Sequence, residues 1–316
     1  MRKLLQLFGA MLLPFLLNAQ MATTEAPFAF PFELDGGLIY LEGEMEGQKG
    51  NYVLDTGAPA LILNASFFVS DLNGKQAYGL SGKTNVQAVN IDQFSVANIE
   101  KKDIKAYVTD ISHIERVKKR RIRGLLGYSA ISDKEILIDY ERQEISMLDP
   151  KNAVNQVSDK TVVDQLPFQY RGHFPVVKVK IGKRNYFFGI DTGAEANVIN
   201  ARLKKKLRKQ SNQRYESLTL QGVDPKQTSA VATTFKEVSI QGHPFNDLEF
   251  VFTDISYLNS GHKVFLDGIL GAPFLKQHLF SINYDSRKLK IWERIPQEEP
   301  LAKSSREVLV KKEDQK

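Results

Sequence analysis

Two stretches of this chain, Tyr52-Val53-Leu54-Asp55-Thr56-Gly57-Ala58 and Phe188-Gly189-Ile190-Asp191-Thr192-Gly193-Ala194, end on the same tetrapeptide 136 residues apart. The register continues through Leu63-Asn64-Ala65 and Ile199-Asn200-Ala201. Further on, Gly124-Leu125-Leu126-Gly127 answers to Gly268-Ile269-Leu270-Gly271 at an offset of 144, and strand-like segments follow, Ile138-Asp139-Tyr140 and Ile282-Asn283-Tyr284. One tetrapeptide recurring by chance in a chain of ordinary composition has odds on the order of a few per thousand. Companions in the same order leave duplication as the explanation. The drift from 136 to 144 reads as a longer loop in the second copy. At 316 residues the chain has room for about two domains, one per copy.

Both copies read as strand. Leu38-Ile39-Tyr40-Leu41 and Val176-Val177-Lys178-Val179-Lys180-Ile181 are β-branched or alternating, and each runs through a glycine-containing turn into a second apolar run that ends on the Asp. That is a hairpin delivering a carboxylate. Asn64 and Asn200 are expected to cap short helices, and Phe94-Ser95-Val96 and Phe235 to Ile240 are further strand candidates. The boundaries follow: lobe 1 over 28–149, a polar linker over 150–167, lobe 2 over 168–295 and a charged, frayed tail over 296–316.

Composition closes several chemistries. Without cysteine there is no disulfide framework, thiolate metal site, catalytic thiol or lipoprotein anchor. The five histidines show no metal-ligand spacing. The net charge of +6 is concentrated in Arg116–Arg123 and Arg202–Lys209. Neither run is interleaved with aromatics or set in a nucleic-acid motif, so no nucleic-acid partner is expected. Leu203 and Leu207 in the second run instead read as the buried stripe of a solvated helix. At the amino terminus, Arg2-Lys3, the mostly apolar Leu4–Leu17 and a small residue at Ala19 read as a signal peptide over 1–19. The apolar stretch falls short of the roughly 20 residues of a bilayer span, so no stable membrane span is expected after cleavage. An exported, cysteine-free chain fits a bacterial periplasmic or extracellular setting, where it relies on its core.

Two Asp-Thr-Gly-Ala motifs behind apolar strands, each followed by an apolar-apolar-Gly motif, resemble the retropepsin and pepsin families of aspartic proteases over residues 30 to 295. The arrangement looks like the bacterial secreted type with two retropepsin-like lobes in one chain. The resemblance implies an all-β, bilobal acid-protease fold with a cleft between two β-barrel lobes. It implies Asp55 and Asp191 as a catalytic dyad hydrolysing peptide bonds in a peptide or protein substrate, with no cofactor and no metal. The chain would then be a monomer with intramolecular lobe pairing. Thr56 and Thr192 would bond across the lobe interface, and Gly127 and Gly271 would pack beside the Asp loops.

The residue chemistry agrees. Two carboxyls at hydrogen-bond distance share one proton, so one accepts from water while the other donates to a carbonyl. Gly57 and Gly193 let backbone N–H groups approach the carboxyls because no Cβ intervenes. An isolated Asp-Thr-Gly is ordinarily only a turn in which the Asp caps its own backbone. Two copies in phase reverse that expectation. Ala58 and Ala194 stand where many pepsin-type sequences carry a hydroxyl donor, which predicts a rate optimum in mildly acidic to near-neutral conditions. Gly82-Lys83-Thr84 and Ser129 imitate a phosphate loop and a nucleophile elbow without their required glycines.

Departures from the family pattern are asymmetric. The acidic residue that follows the tetrad in retroviral members and contacts substrate is Glu195 in lobe 2 but Pro59 in lobe 1. The Arg-containing helix after the apolar-apolar-Gly motif is not expected, because Tyr128-Ser129 and Ala272-Pro273 stand there. Flaps are expected around Ser81-Gly82 and Gln221-Gly222, with Tyr78 a flap aromatic and Gly82 and Gly222 near substrate. Two other readings stay open: a peptide-binding or surface protein that keeps the fold without turnover, and lobes that pair between chains.

Overall fold

The computed structural model describes residues 29–68, 75–79, 82–211, 216–221, 227–259 and 265–296. The architecture is all-β. In lobe 1, strands Leu38–Met45, Gln48–Leu54, Gly124–Leu126, Leu61–Asn64, Ile99–Thr109 and Gly82–Val96 follow one another around a ring. It closes where Gly43, Glu44 and Met45 pair with Val96, Ser95 and Phe94. Lobe 2 repeats the ring with Phe174–Ile181, Arg184–Ile190, Gly268–Leu270, Val198–Asn200, His243–Thr253 and Gln227–Ile240, closed by Val179 on Ile240. Closure removes the sheet edges of each ring. Each barrel fills with the inward residues of its strands: Ile39, Leu41, Leu54, Leu63 and Val108 with the Tyr52–Phe94 edge-to-face pair in the first, Val177, Val179 and Ile190 with Phe188, Phe235 and Phe250 in the second.

A third, six-stranded sheet joins the lobes, in the order Ala29–Pro31, Glu144–Leu148, Glu135–Asp139, Leu279–Asn283, Lys288–Arg294, Lys160–Pro167. Its two middle strands come from different lobes and run antiparallel, with Leu137 opposite Ser281. Those two residues are themselves one repeat apart, so the pseudo-twofold axis of the molecule passes between them. Buried Glu135 fastens the seam from lobe 1: its carboxylate accepts from Ser281 Oγ and Asn283 Nδ2, each at 2.5 Å, and meets Lys290 Nζ at 2.7 Å.

The 150–167 segment, read as a polar linker, contains a 3-10 turn, Ala153–Gln156, and the strand Lys160–Pro167 on the edge of that shared sheet. Asn64 and Asn200 cap the 3-10 turns Ala65–Phe67 and Ala201–Leu203, each accepting from the backbone N–H two residues on. In the second basic run, Leu203 and Leu207 are buried while the lysines between them face outward. The first run is pinned to its lobe. Arg120 meets Glu33 at 2.7 Å and stacks over the Tyr40 ring, and Arg121 and Arg123 lie over Phe67. Short helices Tyr128–Ile131 and Ala272–Leu275 do follow the two apolar-apolar-Gly motifs, so a helix is present there without an arginine. Among the described residues no helix is long and apolar enough to cross a membrane. Residues 1–19, read as a signal peptide, lie outside the described residues, as does the tail beyond residue 296.

Candidate active site

The same local rule places both Asp residues. Tyr52-Val53-Leu54 pairs in parallel with Gly124-Leu125-Leu126, and Phe188-Gly189-Ile190 with Gly268-Ile269-Leu270. Parallel strands end side by side, so each Asp emerges next to its apolar-apolar-Gly motif. Asp55 N–H donates to Leu126 O at 3.1 Å and Asp191 N–H to Leu270 O at 3.0 Å. Two more bonds of 2.9 Å, Tyr128 N–H to Ala58 O and Ala272 N–H to Ala194 O, lace the loops beyond the Asp residues. Gly127 and Gly271 sit in these laces, where a Cβ would press within 2.9 Å of the Ala58 or Ala194 methyl.

The two loops meet across the lobe boundary. Thr56 N–H donates to Thr192 Oγ1 at 3.1 Å and Thr192 N–H to Thr56 Oγ1 at 3.0 Å. Each hydroxyl passes its own proton to the opposite lobe, Thr56 to Ile190 O at 3.2 Å and Thr192 to Leu54 O at 2.8 Å. Neither threonine is exposed. Four bonds therefore fix the loops against each other, and every polar atom of the exchange is paired.

The exchange brings the two carboxyls up to one backbone donor, close enough that each enters the other's electrostatics. Gly57 N–H donates to both, at 3.0 Å to Asp55 Oδ1 and 3.2 Å to Asp191 Oδ1. Ala58 N–H adds 3.0 Å to Asp55 Oδ1, and Gly193 N–H adds 2.8 Å to Asp191 Oδ1. The glycines are required by proximity: a Cβ on Gly57 would lie 2.5 Å from Asp191 Oδ2, and one on Gly193 2.6 Å from Asp55 Cγ.

Burial raises both carboxyls above the usual range. For Asp191 the neighbouring Asp55 charge raises it further, so Asp191 stands well above an ordinary carboxyl. For Asp55 the bond from Asp191, the Ala58 and Gly57 N–H groups and the nearby His173 all pull back down. The two carboxyls therefore titrate as one coupled pair whose proton belongs to both. Such a pair can take one proton and give another in a single event.

Glu195 is exposed and ion-paired with Lys118, the last residue of helix Ser112–Lys118 in the other lobe. Pro59, its counterpart, is exposed. Hairpins stand where flaps are expected: Lys75–Gly79 pairs with the strand from Gly82, Gly79 opposite Gly82, and Glu216–Gln221 pairs with the strand from Gln227. Tyr78 lies in the first of these strands, and Gly222 and Ser81 lie outside the described residues. Among the described residues no cluster of His, Asp or Glu is arranged to hold a metal ion.

Sequence reasoning passed over His173. Its Nε2 lies 2.6 Å from Gly57 O, at the lip of the carboxyl pair. Its visible signal is positional: His173 stands 136 residues after Gly37, in the register of the repeat.

A family model described as aspartyl protease matches residues 41–130 and 177–274, one segment in each barrel. No match is found among curated proteins.

Proposed function

Because the chain belongs to the aspartyl protease family, we propose that it is an exported endopeptidase in which Asp55 and Asp191 hydrolyse peptide bonds with water. The observation that carries this reading is the single Gly57 N–H that donates to both carboxyls, one from each lobe. In the proposed cycle, ionised Asp55 takes a proton from water as the water oxygen attacks the scissile carbonyl carbon. Asp191 gives its proton to the carbonyl oxygen, producing a neutral tetrahedral diol. The C–N bond then breaks as Asp55 returns its proton to the leaving nitrogen and Asp191 recovers one from a diol hydroxyl. Each carboxyl ends as it began, and the products are an acid and an amine.

The preorganised N–H donors hold the charge of the pair in place throughout, so little reorganisation is needed at the moment of reaction. Export is supported by the basic, apolar and small-residue segments at the amino terminus.

The test is cleavage of a denatured protein and of a mixed peptide pool by the purified chain between about pH 3 and pH 8. Asp55→Asn and Asp191→Asn are each expected to abolish it while circular dichroism stays unchanged, since Asn keeps the shape but cannot cycle a proton. Full cleavage by Asp191→Asn would overturn the single-chain dyad. Peptide binding without cleavage by the unaltered chain would favour a binding protein that keeps the fold.

A further inference from the structure

The two lobes present different residues to each other's Asp loop. In each, a short hairpin precedes the barrel, Glu33–Asp35 with Leu38–Met45 and Gln169–Arg171 with Phe174–Ile181, and its turn reaches the loop of the opposite lobe. In lobe 1 the turn is Gly36-Gly37, lying so close to Ala272 and Glu195 that a Cβ on Gly37 would stand 2.8 Å from the Ala272 methyl and 3.6 Å from Glu195 Cα. In lobe 2 the turn is Gly172-His173, and the imidazole lies against Gly57.

The bond direction is fixed by chemistry. A carbonyl oxygen can only accept, so His173 Nε2 carries the hydrogen and donates to Gly57 O at 2.6 Å. The peptide whose oxygen takes this bond is the one whose nitrogen belongs to Ala58, and Ala58 N–H donates to Asp55 Oδ1 at 3.0 Å. Imidazole, peptide unit and carboxylate thus form one chain of donors, and each bond polarises the next. Titratable groups near the ring include Asp55 on the loop, Tyr128 from the short helix with ring centres 6.4 Å apart, and Tyr170 and Arg171 on its own hairpin. Tyr170 donates to Tyr284 O, and Arg171 turns inward to Asn259 Oδ1. Among the described residues Asp191 has no such relay; its donors there are Gly193 and Gly57 N–H.

Granting the proteolytic reading above, we propose that His173 is a positioning residue that makes Asp55, rather than Asp191, the water-activating member of the pair. A protonated imidazole is a cation, and in either charge state His173 Nε2 donates to Gly57 O. Its charge and its bond through the Gly57–Ala58 peptide both favour the Asp55 anion, in the acid range where that anion has to form. One lobe is thereby specialised as base and the other as acid by a residue that touches neither reacting atom.

Two variants of the full-length chain separate charge from hydrogen bond. His173→Gln keeps an N–H donor without charge, and His173→Gly copies the residue of lobe 1. The acid limb of kcat/KM is expected to move up by about one pH unit in His173→Gly, with a smaller upward shift in His173→Gln. The same order is expected in the Asp55 titration followed by carbon-13 carboxyl resonances. That measurement needs no turnover, so it judges His173 even if the chain proves not to cleave peptides, whereas activity that survives Asp191→Asn would fault the dyad and not His173. Asp55 titrations that coincide in the unaltered chain and both variants, with the fold intact by circular dichroism, would overturn the proposal.

Discussion

Thr56 and Thr192 each donate a backbone N–H to the other's hydroxyl across the lobe boundary, at 3.1 and 3.0 Å, with no surface exposed to water. Valine at position 192 would keep the shape, remove the acceptor of Thr56 N–H and leave Leu54 O without its 2.8 Å donor. Stranding two buried groups costs about 2–4 kcal/mol. Thr192→Val is therefore expected to lower the urea midpoint accordingly and to reduce activity steeply, and Thr192→Ser to restore most of both. Equal urea midpoints for Val and Ser would show that the hydroxyl bonds are not what holds the loops.

Gly57→Ala and Gly193→Ala each place a methyl 2.5–2.6 Å from the opposite carboxyl, so the pair has to spread. Displacement of reacting groups by about 1 Å costs on the order of 100-fold in rate. Both variants are expected to lose kcat by about that factor or more while remaining folded in a thermal melt. Retained kcat in either would mean that the carboxyls do not have to touch.

The weakened acidity of the pair also predicts how stability depends on pH. A carboxyl that binds its proton more tightly folded than unfolded stabilises the fold fully below its unfolded pKa of about 3.9, and that contribution is lost as pH rises through the folded value. Asp191 is raised well above its ordinary value by burial and by Asp55. Asp191→Asn, which needs no proton, is therefore expected to melt at a higher temperature than the unaltered chain near pH 8, with the difference vanishing near pH 4. Calorimetry at the two pH values checks this, and a constant difference would contradict it.

Glu135 carries the seam between the lobes. Glu135→Ala leaves Lys290 buried without its partner and takes one acceptor each from Ser281 and Asn283 on the far side of the boundary. A loss of about 3–5 kcal/mol is expected in equilibrium unfolding. A loss below about 1 kcal/mol would show that strand pairing alone holds the lobes.

The barrels and the Asp loops were legible because their signals are local: a hairpin pattern, an Asp-Thr-Gly turn, a repeat at fixed spacing. The shared sheet was not, although Ile138-Asp139-Tyr140 and Ile282-Asn283-Tyr284 were visible as strand-like, because what pairs with what over 144 residues leaves no mark in either segment. Lys160–Pro167 read as polar linker because, as an edge strand, it turns Thr161, Val163 and Gln165 outward and buries little besides Lys160 and Leu166. The short helices after Gly127 and Gly271 were missed because four residues give too little periodicity to see. His173 is hard to read because a lone histidine carries no metal spacing, and only its place in the repeat, 136 residues after Gly37, marks it.

Joining both halves in one chain has a consequence for whatever enters between them. A groove assembled from two identical subunits looks the same from either end, and every substitution is written on both sides at once. Here Pro59 and His173 lie at the first Asp loop and Glu195 and Lys118 at the second, and each could change without its twin. Under the proposed function, an extended peptide lying between the lobes would meet a polarity, so its amino-to-carboxyl direction could be recognised before any side chain is.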